Sequence, residues 1–276
     1  MKSIHIVERT LPLAWEASVL ACWKSGEACP TEYDKPLDPP SRDVTALIHV
    51  THPFEEPRIH RAFPGGLDFL EVYRAEMLYG VHDHWIDPAA GKWEYTYHQR
   101  LFAYDVPGLG VIDQIAAVID KLRAAPHTRR CQAITWQPWN DQNISDPACL
   151  QRLWFRVSGG RLHMNTHIRS NDAYKAAFLN MYAFTELQRT IAAAVGVEPG
   201  EYMHIADSFH IYGSYFQEFE GFLQTVERRA PQDRVYTTDF ARDFLIEGCD
   251  TLLAEADMPP DKKTLIQKRR AELAGE

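Results

Sequence analysis

Between residues 150 and 205 the hydrophobic pattern changes period twice, and this limits the folds open to the chain. Two stretches with strand character, 150 to 157 and 161 to 168, flank Ser158-Gly159-Gly160, a turn sequence that joins antiparallel neighbours. A long helix is predicted over roughly 172 to 195, and a further strand over Tyr202 to Ile205. Hairpins and helices thus share one chain, which predicts an α+β domain built on one large sheet.

Upstream, an N-terminal strand and helix lead into residues 26 to 45, where Pro30, Pro36, Pro39 and Pro40 predict an irregular connection. A strand is expected over Val44 to Val50. From Gly65-Gly66, Leu67, Leu70, Tyr73, Met77 and Leu78 recur at helical spacing as far as Gly80. Residues 111 to 123 repeat the pattern with Ile112, Ile115, Ala116, Ile119 and Leu122, and Pro126 stops it; a strand follows at 130 to 136. The last forty residues, with Met258-Pro259-Pro260 between two helical stretches, read as a charged, solvated tail packed on the body. The 276 residues suffice for a sizeable core in one large domain or two small ones.

Charge narrows the partners. A net charge of −9 argues against a broad basic face for DNA or an anionic membrane, and leaves room for a small anion held by local arginines. Glu8 and Arg9 interrupt any apolar leader, and no window offers eighteen uninterrupted apolar residues, so a cytoplasmic protein is expected. Five scattered cysteines without a C-x-x-C pair argue against a disulfide framework and a zinc site. His82 and His84 lack an evident third ligand, so no metal is expected.

Cys149 stands out by its company. It precedes a strand, with Arg129-Arg130 twenty residues earlier and Arg169-Ser170-Asn171-Asp172 twenty later, before the long helix. Arginine forks suit phosphate, a helix start adds free N–H groups, and nearby cations favour thiolate over thiol.

The ordered set Arg129-Arg130, Trp136-Gln137-Pro138-Trp139-Asn140, Pro147-Ala148-Cys149, Arg169-Ser170-x-Asp172, Phe178-x-Asn180 and His210-x-Tyr212 resembles the thymidylate synthase superfamily, which includes pyrimidine nucleotide hydroxymethylases. The resemblance runs from about residue 63 to 217. It implies one large mixed β-sheet flanked by helices, with the sheet packed at a homodimer interface. It also implies a single catalytic domain over 1–276, with a divergent segment at 1–62 and a helical charged tail at 235–276.

It further implies that Cys149 adds to C6 of a pyrimidine nucleoside monophosphate, turning C5 into a nucleophile for the one-carbon unit of 5,10-methylenetetrahydrofolate. Arg169 and Ser170 would hold the phosphate, joined by Arg129 and Arg130 from the partner subunit, so that active sites are shared. Arg42 in Ser41-Arg42-Asp43 resembles a phosphate-loop arginine. His210 and Tyr212 would bind the sugar hydroxyl, and Asn180 would read the base, favouring uracil. Asp172 would lie beside the pterin, Trp85 beside the reduced folate, and Tyr97 beside the thiol. Glu71 or Glu76, with Glu71 preferred, would move protons.

Four departures bear on the reaction. Leu150 follows the nucleophile where a histidine is common, and Ser208-Phe209 precedes His210 in place of an acidic and a small residue. A Gly-Thr-Gly phosphate loop is absent, and the segment Arg269 to Glu276 is charged where an apolar closing tail is usual. Reductive methylation of dUMP to dTMP is the leading expectation. Hydroxymethylation of dUMP, dCMP or CMP is the alternative, and a non-catalytic nucleotide- or RNA-binding role is remote.

Overall fold

A computed structural model describes residues 1–276. The chain runs β1 (Ser3–Glu8), α1 (Leu11–Ser25), β2 (Glu27–Cys29), β3 (Ser41–Val50), β4 (Ile59–His60), α2 (Leu67–Tyr79), α3 (Tyr97–Phe102), β5 (Tyr104–Val106), β6 (Gly110–Ile112) and α4 (Gln114–Ala124). It continues β7 (Cys131–Ile134), β8 (Leu150–Ser158), β9 (Arg161–Asp172), α5 (Ala177–Val195), β10 (Glu198–Ile211), α6 (Phe216–Arg228), β11 (Val235–Tyr236), α7 (Arg242–Leu253) and α8 (Pro260–Ala274). The principal sheet has seven strands in the order β1-β3-β10-β9-β8-β7, with β2 also on β3. It is mixed: β1 pairs β3 in parallel, whereas β10 with β3 and β7 with β8 are antiparallel. The α+β expectation holds, and no helix is long and apolar enough to cross a membrane.

Gly159 and Gly160 both take positive φ, 58° and 73°, the twist a tight hairpin between β8 and β9 requires. The long helix begins at Ala177 and not near 172, because β9 runs on to Asp172. The Asp172 carboxylate then accepts from the backbone N–H of Tyr174 at 3.0 Å and of Lys175 at 2.8 Å, which folds a turn ahead of the helix. The strand expected over Tyr202 to Ile205 is also longer, β10 running from Glu198 to Ile211 with a register shift between Ala206 and Phe209 opposite β3.

Two compact units divide the chain. The first comprises residues 1–65, 165–181 and 200–240. Its core centres on Trp15 of α1, wholly buried, whose ring meets His60, Phe178 and Phe222 edge-on and whose Nε1 donates to the Ala173 carbonyl at 2.8 Å. The second comprises residues 66–164, 182–199 and 241–276. Here α7 and α8 do more than lie on the surface: Cys249, Leu252, Met258 and Ile266 share a buried cluster with Val72 and Ala75 of α2. Gly248 permits this approach, since a Cβ there would strike the Asp68 carbonyl oxygen.

Candidate active site

In the second unit a cavity of about 610 Å³ opens between α2 and the segment that enters α3. Tyr73, Trp93, Tyr95 and Tyr97 give it aromatic walls, and Glu76, His98 and Asp146 add polar groups. The walls are set by local chemistry. Thr96 caps α3 by accepting from Gln99 N–H and donates its hydroxyl to Asp83, which also binds His98 at 2.6 Å. Arg100, buried in α3, forks onto Asp141 at 2.8 and 3.1 Å, and Asp141 accepts from Gln137 N–H at 2.8 Å. That pair ties the Trp136-Gln137-Pro138-Trp139-Asn140 loop to the cavity wall.

Cys149 stands immediately before β8, half-buried, whereas Cys22, Cys131 and Cys249 are buried. Its backbone N–H donates to the Tyr95 hydroxyl at 3.4 Å, and the next N–H, of Leu150, donates to the Tyr97 hydroxyl at 3.2 Å. Burial pushes both phenols up, Tyr97 well above the ordinary range, with the neighbouring Cys149 acting in the same direction. Both stay neutral, and each phenol that accepts a backbone N–H keeps its own proton to donate. By contrast, burial pushes the thiols of Cys22 and Cys249 up to about 12, which makes them inert.

The remaining candidates of this unit fall in different places. Glu76 lines the cavity, but Glu71 is wholly enclosed on another face of α2. Arg74 Nε binds Glu71 at 2.8 Å, and Arg269 of α8 reaches both its oxygens at 3.1 and 3.3 Å. Trp93 meets the cavity, with Trp85 packed behind it at 5.3 Å between ring centroids, and Trp85 Nε1 donates to Asp257. Arg129 and Arg130 are exposed at the head of β7, an end strand of the sheet.

The first unit holds the other candidates. Arg169, Ser170 and Asp172 follow one another at the end of β9, and burial lifts the Asp172 carboxyl to about 6 against the pull of its two backbone donors. Asn180 is buried in the first turn of α5. His210, near the end of β10, and Tyr212, just beyond it, meet edge-on with centroids 4.6 Å apart. The Ser208 hydroxyl donates to Asp43 at 2.6 Å and contacts His210 Nδ1 at 3.0 Å, so its oxygen must accept from an Nδ1–H. His210 Nε2 is therefore a bare acceptor; it is buried without a partner, and burial lowers the ring to about 4. Arg42 packs over the Trp23 ring at 5.3 Å, with Nη1 3.5 Å from the Gly26 carbonyl.

Tyr73, Trp93, Tyr95, His98 and the Asp43–Ser208 pair were not singled out from the sequence. Tyr95 carried a usable signal, being two residues before Tyr97, on the same side of an extended entry to α3. Asp43 carried none, since its partner lies 165 residues away.

Comparison with known proteins identifies the family. A family model described as thymidylate synthase matches residues 74–249. A provisionally named thymidylate synthase of Methanocaldococcus jannaschii is 33% identical over 195 residues, 68% of this chain and 82% of that protein. One of the same description from Methanosarcina acetivorans is 27% identical over 77% of this chain and 91% of its own length. The solved thermostable thymidylate synthase A of Bacillus subtilis superposes with a TM-score of 0.58 at 19% identity, covering 76% of this chain and 83% of that one, and shares the fold. The chain belongs to the thymidylate synthase family, a family of one-carbon transferases.

Proposed function

We propose that the chain transfers a one-carbon unit to C5 of a pyrimidine nucleoside monophosphate, with dUMP methylated to dTMP as the leading reaction. The observation that carries this reading is the half-buried Cys149 thiol beside two neutral phenols of an aromatic cavity. The Cys149 thiolate would form a bond to C6 and push the C5=C6 pair onto the exocyclic carbonyl oxygen of C4, and C5 of that enolate would then attack the one-carbon unit. When bound, 5,10-methylenetetrahydrofolate supplies that unit and, for methylation, the hydride.

The cavity suits such a ligand. Flat aromatic walls at Tyr73 and Trp93 match a pterin ring, and Glu76 and Asp146 offer acceptors for its N–H groups. Tyr95 and Tyr97 would donate toward charge developing near the sulfur, and Glu76, the cavity-facing glutamate, would move the proton that leaves C5. In the first unit Arg42, Arg169 and Ser170 would hold phosphate, Asn180 the base, and His210 with Tyr212 the sugar hydroxyl; the bare His210 Nε2 supports that last role. Arg129 and Arg130, exposed on an end strand, would serve the partner's site in a homodimer.

Hydroxymethylation of dUMP, dCMP or CMP is the second reading. It is favoured by the exposed rim of the cavity at Lys92 and Trp93, the latter 39% accessible, where water could reach the exocyclic methylene on C5 in place of hydride. Mass spectrometry after incubation with methylenetetrahydrofolate and each of dUMP, UMP, dCMP and CMP tests both. A methyl gain supports the first reading, a hydroxymethyl gain the second, and no gain with any nucleotide overturns the proposal.

A further inference from the structure

His82 is 4% exposed in the turn after α2. Its Nδ1 lies 2.7 Å from Glu76 Oε1, and its Nε2 lies 3.1 Å from Glu255 Oε1 in the link between α7 and α8. An ionised carboxylate only accepts hydrogen bonds, so two carboxylates flanking one ring require a hydrogen on each nitrogen, and a neutral imidazole has only one. The ring cannot turn away from this arrangement: it stacks on Trp85 at 3.7 Å and 7° and meets Trp93 edge-on at 5.8 Å.

We propose that His82 is an imidazolium clamped between Glu76 and Glu255, a positioning residue through which the C-terminal helices set the carboxylate that faces the cavity. The charges around it agree. From α2 comes Glu76, and from the α7–α8 link come Glu255 and Asp257. Its own turn adds Asp83, bound to His98 and Thr96, and His84, which pairs with Asp257 at 3.3 Å. Arg74 of α2 and Arg269 of α8 are occupied by Glu71. Burial opposes a charged ring, but the hydrogen bonds to Glu76 and Glu255 outweigh it and raise His82 above its ordinary value. Glu255 Oε2 is buried without a partner, which an ionised side chain tolerates best with a full cation on its other oxygen.

The device resides in the α7–α8 link, outside the cavity. Glu76 is held through one oxygen by a cation whose far side is anchored to that link, so movement of the link reaches the cavity through two hydrogen bonds. The role assigned to Glu76 rests on the proposed one-carbon transfer; the clamp does not.

Nitrogen-15 NMR of the full-length, histidine-labelled protein, with H82Q to assign the signal, tests the clamp without substrate. Both His82 nitrogens are expected to be protonated at pH 7.5 in the wild type, and E255Q, nearly isosteric, to return one of them to the bare state. A bare nitrogen in the wild type at pH 7.5, or an unchanged spectrum in E255Q, overturns the clamp whatever the reaction. The positioning role is tested by turnover: E255Q is expected to lower kcat roughly tenfold, part of what an acid–base group supplies, with nucleotide KM unchanged and the alkaline limb of the kcat profile moved to lower pH. E255D is expected to recover most of the loss. A fall in melting temperature with kcat and its pH profile intact would leave His82 a structural ion pair and overturn the positioning role.

Discussion

Asp172 ends β9 with its carboxylate turned onto two backbone N–H groups, and burial still lifts it from 3.8 to about 6. A folded value above the unfolded one means that the native state binds more protons between those limits. Stability therefore falls as pH rises through that window, and the loss is complete above about pH 6. Asp172→Asn keeps an acceptor for the same donors and removes the buried charge. It is expected to be more stable than the wild type by about 1–3 kcal/mol at pH 8 and to show no advantage at pH 4, in thermal melts at the two values. An equal advantage at pH 4 would assign the effect to something other than charge. Cys149 offers the complementary test, because function and not stability resides there. Cys149→Ser is expected to lower turnover by about 10³-fold or more while nucleotide affinity, read by calorimetry, stays within a few-fold.

At the scale of elements, α2 shows what sequence periodicity can and cannot deliver. Its span was legible from Leu67, Leu70, Tyr73, Met77 and Leu78, and the observed limits, Leu67 to Tyr79, follow them closely. Its two glutamates are five residues apart, about 140° around the helix axis, so they cannot share a face. Glu71 follows Leu67 by four and Leu70 by one, and Arg74 follows Leu70 by four, which puts both charges on the apolar stripe. That spacing was the readable sign of a buried pair. The second cation was not readable, since Arg269 arrives from 198 residues away and only the packing of α8 on α2 brings it in. The charged look of the C-terminal region concealed the same fact, because Met258 and the buried Ile266 of α8 join Cys249 and Leu252 of α7 in the cluster on Val72 and Ala75 of α2. Glu71→Gln leaves Arg74 and Arg269 without their buried counter-charge. It is expected to destabilise the protein by about 3–5 kcal/mol in urea titrations, far more than an exposed ion pair would. A loss below about 1 kcal/mol would show that the guanidinium groups find water instead.

At the scale of the whole molecule, the nucleophile and the phosphate-type arginines come from separate stretches of chain, and Arg129 with Arg130 stands exposed on an end strand of the sheet. An exposed pair of like charges adds nothing to the fold of its own subunit, so its place in the motif set needs a function elsewhere. In a two-fold dimer with shared sites, a subunit carrying Cys149→Ser still lends its arginines, and a subunit carrying Arg129→Ala with Arg130→Ala still offers its thiol. Each homodimer of these variants should be nearly inactive. Unfolding and refolding an equal mixture should restore roughly a quarter of wild-type activity, because random pairing makes half the dimers mixed and each mixed dimer has one intact site of two. If the arginines serve their own subunit, every site in the mixture lacks either sulfur or its cations, and no activity returns. Sedimentation of the same mixture separates the two cases from a failure to pair: mixed dimers without turnover would assign the arginines to their own chain, and monomers throughout would remove the shared site altogether.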